Sequence, residues 1–280
     1  MSHPVPSSAD APIGVFDSGV GGLSVLRHIH AQLPHEHVLY FADSAFAPYG
    51  EKSDHWLVQR ALAVTAFLLE HGAKALVVAC NTATVAAIKA VRAAYPSLPV
   101  VGVEPGLKPG AAATHNGTVG VLATESTLRG EKFLALREQI SSATGARFLL
   151  QPCGGLVERI EAGDLSGPAT MAMLDGYVSP LLAQGADTLV LGCTHYPFVR
   201  GAIEQLVAAR SSTPVILIDT GDAVARQLAR LLEGAALRRP GGSPAHLHGY
   251  TSGSAEALQQ QFASLLGLHP VVESVRIGLG

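Results

Sequence analysis

A nine-residue segment recurs in this chain with five positions identical: GAKALVVAC at 72–80 and GADTLVLGC at 185–193. The glycine, the alanine, the Leu-Val pair and the closing cysteine coincide without a gap. The likeness extends in both directions. PVVGVEPG begins 19 residues after Cys80, and PVILIDTG begins 21 residues after Cys193. Upstream, IGVFDSG (13–19) has a weaker partner in VGVLATE (119–125). A repeated segment on this scale confines the chain to two versions of one supersecondary unit. In both, a short β-branched run ends in a cysteine and is followed by polar residues.

Around the repeat, short apolar runs alternate with helical spacing. Strands are expected at 13–17, 37–43, 75–80, 99–106, 118–124, 146–153, 188–193 and 214–221, with a short one within 246–253. Helices are expected from Leu23 and over 56–71, 82–95, 126–140, 168–184, about 197–210, 222–233 and 254–266. In 56–71 the residues Leu57, Ala61, Val64, Phe67 and Leu68 share one face. Such alternation predicts an α/β fold of two similar parallel-sheet domains related by pseudo-symmetry, with helices on both faces of each sheet. Each cysteine then stands at the carboxyl end of a buried strand, where open parallel sheets bind ligands. The first turn of a following helix offers free N–H groups there and is expected to lower a thiol pKa. The alternative is a buried core cysteine, and duplication alone would copy such a residue too.

Composition narrows the function. Of 280 residues, 48% are hydrophobic and 15% charged, so the chain folds. Its apolar runs fall short of the roughly 20 residues needed to cross a bilayer. The formal net charge of −3, with no basic tract, speaks against a nucleic-acid binder and for small-molecule chemistry. The first twelve residues, MSHPVPSSADAP, lack the pattern of a signal peptide and read as a disordered leader. Without an export signal a cytoplasmic setting is expected. The three cysteines, Cys80, Cys153 and Cys193, form no CxxC pair and should be free thiols.

Polar clusters mark the expected strand ends: Asp17-Ser18-Gly19, Asp43-Ser44, Cys80-Asn81-Thr82, Thr124 to Thr127, and Cys193-Thr194-His195, with a turn at Ala47-Pro48-Tyr49-Gly50. Asn81, Thr82 and Thr194 can donate hydrogen bonds to a carboxylate. Asp17 and His195 can tune a thiol or take its proton, although Asp17 equally suits a turn and His195 a helix start. Nothing here has the compact spacing of a metal site. The SGVGG turn is neither GxGxxG nor a phosphate-binding loop. Two thiols without a metal suggest a two-base reaction, in which one group removes a proton from carbon and the other delivers one to the opposite face. A cysteine hydrolase would leave the second thiol unexplained.

FDSGVGG (16–22), ACNTAT (79–84) and LGCTHYP (191–197), with PYG (48–50), Thr124-x-x-Thr127 and YTSG (250–253), resemble the motifs of the bacterial glutamate racemases. These are cofactor-independent enzymes that supply D-glutamate for peptidoglycan. The likeness runs from Ile13 to about Gly253. It implies that Cys80, assisted by Asp17, deprotonates D-glutamate, and that Cys193, assisted by His195, deprotonates L-glutamate. It implies substrate contacts from Ser18, Pro48, Tyr49, Gly50, Asn81, Thr82, Thr124, Thr194 and Glu161. Glu161 falls where the family has a further acidic residue, and Cys153 where it has a structural cysteine. The family's proline after that cysteine is Gly154 here. The resemblance further implies one domain of 1–105 and 214–280, an inserted domain of 106–213, and an active site in the cleft between them. It implies no cofactor, a glutamate substrate as partner, no membrane or nucleic-acid partner, and admits a homodimer. The alternatives are an aspartate or hydantoin racemase of the same superfamily, or a non-catalytic amino-acid-binding protein on this fold.

Overall fold

The computed structural model describes residues 8–242 and 244–278. The chain opens with β1 (Ile13–Asp17), α1 (Leu23–Gln32) and β2 (Val38–Ala42), then α2 (Asp54–Glu70), β3 (Ala75–Val78), α3 (Asn81–Ala94) and β4 (Val100–Gly102). It continues through α4 (Leu107–Ala113), β5 (Thr118–Ala123), α5 (Glu125–Arg129), α6 (Glu131–Thr144), β6 (Arg147–Pro152), α7 (Leu156–Glu161) and α8 (Pro168–Ala183). Then come β7 (Thr188–Leu191), α9 (Arg200–Arg210), β8 (Ile216–Asp219), α10 (Thr220–Gly234), β9 (Leu247–Thr251), α11 (Ala255–Leu266) and β10 (Val271–Ser274). Contacts divide the chain into one unit up to Val103 and from Gly221 onward, and a second of Glu104–Thr220.

The first unit holds a six-stranded sheet in the order β10-β9-β2-β1-β3-β4, and the second a four-stranded sheet, β6-β5-β7-β8. Every strand pair is parallel. In each unit the first strand is flanked by the second and the third, so β2-β1-β3-β4 and β6-β5-β7-β8 are one topology. The central strands β1, β3, β5 and β7 are buried at every position, as helices on both faces require. Edge strands β6 and β10 reach solvent.

Register makes the repeat structural. Val78 pairs with Phe16, and Leu191 pairs with Leu122. Beyond those pairs the Ala79 N–H reaches the Phe16 carbonyl at 2.7 Å, and the Gly192 N–H the Leu122 carbonyl, also at 2.7 Å. Cys80 and Cys193 are the next residue in each case, one past the end of the ladder. Their counterparts on β1 and β5 are Ser18 and Thr124.

The sequence reading needs correction in several places. The expected leader falls outside the described residues over its first seven. Its last five are held in place: the Lys74 ammonium donates to the Ala9 carbonyl, the Lys74 N–H to the Pro12 carbonyl at 2.8 Å, and Arg239 to the Asp10 carboxylate at 2.6 Å. Helix α4 was not anticipated, because Pro109 and Gly110 disguise it. It forms because Gly110 lies against Val190 and Val119, where a Cβ would come within 2.7 Å of Val190 Cγ2. The helix expected over 126–140 is two, broken at Gly130, whose ψ of 128° is extended. Helix α7 and strand β10 were also missed. Among the described residues no helix is long and apolar enough to cross a membrane.

Candidate active site

In the first unit, β1 and β3 lie side by side, which sets Asp17-Ser18 next to Ala79-Cys80. Cys80 is 6% exposed and is the N-cap of α3, its sulfur accepting the Ala83 N–H at 3.5 Å. Ser18 Oγ is 3.4 Å from the same sulfur. Asp17 is buried, and its Oδ2 accepts the N–H groups of Gly19 at 3.2 Å and Gly22 at 2.9 Å. Asp17 therefore shapes the glycine turn that starts α1, and its charge acts on the Cys80 thiol.

Burial, and after it the charge of Asp17, push the Cys80 thiol up to about 12, against the hydrogen bonds of Ser18 and of the Ala83 and Thr82 backbone. The expectation of a depressed pKa is thus wrong for this thiol. The helix N-terminus is present, but desolvation of the thiolate outweighs it. Near neutrality Cys80 is a proton donor in waiting.

In the second unit the surroundings differ. No long helix starts at Cys193. A single tight turn at Tyr196–Val199 intervenes before α9. The Cys193 sulfur lies 3.7 Å from His195 Nδ1, and His195 Nε2 lies 3.0 Å from Glu161 Oε1 at the end of α7. A carboxylate only accepts, so Nε2 carries the hydrogen and Nδ1 turns its lone pair toward the thiol. The three groups form a relay: thiol, imidazole, carboxylate. The His195 side chain is 10% exposed and that of Glu161 40%, so the relay runs from the interior to solvent. Glu161, expected among the substrate ligands, is placed here on the histidine.

Cys153, at the end of β6, is a third thiol of another kind. It is 2% exposed, donates to the Gln151 carbonyl at 3.4 Å, and is pushed up to about 12 by burial and by Cys193.

The other expected residues sort by unit. Ser18, Asn81 and Thr82 are half-buried around Cys80. Thr194 is buried beside Cys193. Thr124 caps α5, its Oγ1 accepting the Thr127 N–H at 3.3 Å and lying 2.9 Å from Thr127 Oγ1 and 3.1 Å from Ser126 Oγ. Pro48 and Gly50 are exposed, whereas Tyr49 is buried with its hydroxyl donating to Asp43. Asp43, expected to line a cleft, is withdrawn completely from solvent. It is held by Arg60, whose Nε and Nη2 reach its two oxygens at 2.8 and 2.6 Å. Sequence reasoning passed over Arg60, although it falls on the apolar face of its helix between Leu57 and Val64. Among the described residues no three His, Cys, Asp or Glu side chains gather as a metal centre would need.

Known proteins match this chain in sequence and in fold. The family described as Asp/Glu/Hydantoin racemase matches residues 13–228. A glutamate racemase of Stutzerimonas stutzeri is 52% identical over 263 residues, covering 94% of this chain and 97% of that protein. The structure of glutamate racemase from Francisella tularensis in complex with D-glutamate aligns with a TM-score of 0.80 at 29% identity, over 96% of this chain and 98% of that one. The structure of the Escherichia coli enzyme, in complex with L-glutamate and the activator UDP-MurNAc-Ala, aligns with a TM-score of 0.80 at 31% identity, over 96% and 99%. Matched in sequence over most of its length and in fold over nearly all of it, the chain belongs to the aspartate/glutamate/hydantoin racemase family.

Proposed function

We infer that this chain is a glutamate racemase. It inverts the α-carbon of glutamate by removing a proton from one face and returning a proton to the other, and so supplies D-glutamate for peptidoglycan. The observation that carries this reading is that the equivalent strand of each sheet ends in a thiol and that the two thiols have different proton-handling neighbours. Glutamate of either hand bound to related enzymes supports the substrate.

In the L-to-D direction, the Cys193 thiol passes its proton to His195 Nδ1, and Glu161 stabilises the imidazolium from the far side. The thiolate takes the α-proton of L-glutamate. Cys80, held protonated by its buried site, gives its proton to the opposite face, leaving a thiolate that is reprotonated before the next turnover. In the D-to-L direction Cys80 is the base, and Asp17 is the neighbour able to take up its proton. Two-base inversion requires the thiols to address opposite faces of the carbon, and each unit supplies one. The hydroxyl and amide donors of Ser18, Asn81, Thr82, Thr124 and Thr194 suit the α-amino and α-carboxylate groups. Pro48, Tyr49 and Gly50 suit the distal carboxylate. Thiols suffice as acid and base, so the proposed reaction calls on no cofactor. By the family resemblance the proposal extends to a cytoplasmic homodimer, which sedimentation velocity tests.

The test of function is racemisation by the purified chain in deuterated water without added cofactor. L- and D-glutamate should each lose optical rotation and gain deuterium at the α-carbon. Aspartate run in parallel should do neither. Exchange of aspartate in place of glutamate would reassign the substrate, and no exchange of either would reject the reading.

A further inference from the structure

Arg60 takes no part in these proton transfers, yet it is among the largest fully buried side chains of the described residues. A buried guanidinium is tolerated only where its donors are matched. Here the match is nearly complete. Nε and Nη2 fork the carboxylate of Asp43, Nη1 donates to the main-chain carbonyl of Ile277 at 2.7 Å, and the guanidinium carbon sits 4.3 Å from the centre of the Phe46 ring. Tyr49 donates to the same carboxylate. Asp43, Phe46 and Tyr49 all lie on the loop that joins β2 to α2. Arg60 reaches into that loop from α2 and ties all three together.

The loop adjoins the first thiol. The Asp43 N–H bonds to the Asp17 carbonyl at 2.9 Å, and the Tyr49 ring lies 6.2 Å from that of Phe16. Tyr49 and Cys80 belong to one apolar cluster. The remaining contact comes from the end of the chain. After β10, the Val275 N–H bonds to the Thr251 carbonyl at 2.8 Å, and the Val275 and Ile277 side chains pack on the cluster that contains Tyr49 and Cys80. The C-terminal segment thus places a carbonyl on the guanidinium that fixes the loop.

We propose that Arg60 is a positioning residue for the racemase site and that the C-terminal segment, through the Ile277 carbonyl, braces it. The proposal rests on the reading of the chain as a glutamate racemase and adds to it. Arg60 and the tail hold the Pro48-Tyr49-Gly50 loop in the shape that receives the distal carboxylate, while proton transfer is left to the thiols. Lysine at position 60 keeps the charge but cannot fork Asp43 and reach Ile277 at once. Glycine at 277 loosens the tail and leaves the Arg60–Asp43 fork intact.

The experiment compares full-length Arg60→Lys and Ile277→Gly with the parent chain, reading kcat and KM for both glutamate enantiomers alongside the melting temperature. Each variant should raise KM about tenfold, the worth of one charge-assisted hydrogen bond, with kcat within about twofold. An unchanged KM in folded Ile277→Gly, or a fall in kcat at constant KM in either variant, would overturn the proposal. Should Arg60→Lys fail to fold, Ile277→Gly decides alone. Absence of racemisation by the parent chain would reject the proposed function instead, so the two failures are told apart.

Discussion

At Cys193 the imidazole of His195 stands between a sulfur at 3.7 Å and a carboxylate oxygen at 3.0 Å, and the carboxylate decides which nitrogen carries the hydrogen. Replacing Glu161 by Gln removes the charge that steadies the imidazolium. At this half-exposed position Glu161→Gln should lower kcat by about tenfold, whereas His195→Ala should cost about 10²-fold or more, as loss of a general base does. Steady-state racemisation of L-glutamate, with melting curves to confirm folding, measures both; full activity in Glu161→Gln would remove the relay. Much of this was legible in the sequence at residue scale. Cys80, Cys193, Asp17 and His195 all stand at strand ends, and the repeat marks two of them directly. The contact of Glu161 with His195 was not legible, since RIEAG is an ordinary helix end and the two residues stand 34 positions apart. The direction of the Cys80 pKa was misjudged for a similar reason. The helix N-terminus is local and can be read, whereas desolvation depends on what the whole fold packs around the sulfur.

Among the elements, β3 and β7 carry the thiols, and they differ at the residue before the cysteine: Ala79 in one, Gly192 in the other. A Cβ on Gly192 would lie 2.9 Å from the Leu122 carbonyl oxygen and 3.1 Å from the Ala123 Cβ. Backbone cannot swing aside as a flexible side chain would. Gly192→Ala should therefore part the ends of β5 and β7, displace Cys193, and cost about 1–3 kcal/mol, the usual penalty of overpacking. A urea midpoint and kcat measured together check it, and an unchanged midpoint would show that the strands give way freely. The elements that sequence reasoning found are those with local periodicity: nine parallel strands and most of the helices. The elements it missed are made by tertiary contact. Helix α4 exists around a glycine that lets it lie on Val190, and β10 pairs with β9 through a short run, VVES, that has little pattern of its own.

On the scale of the whole molecule, the repeat made two similar parallel-sheet units legible, but not the extension of one sheet by β9 and β10. It also could not show that two thiols, one in each unit, are held protonated. Cys80 and Cys153 are both pushed up to about 12 from 9.0. An unfolded thiol loses its proton near 9 while the folded one keeps it, so above that pH the unfolded state binds fewer protons and stability falls as pH rises toward 12. The loss should reach about 1 kcal/mol for each thiol between pH 8 and pH 10. Urea midpoints at the two pH values measure it, and Cys153→Ala should flatten the decline; a midpoint that holds steady would mean that the thiols ionise in place. The division of labour proposed for Cys80 and Cys193 is tested most directly by isotope exchange with single-cysteine variants in deuterated water. Cys80→Ala should retain exchange at the α-carbon of L-glutamate without inverting it and leave D-glutamate untouched, and Cys193→Ala should do the reverse. Exchange of D-glutamate by Cys80→Ala, or racemisation by either variant, would contradict the assignment of one thiol to each face.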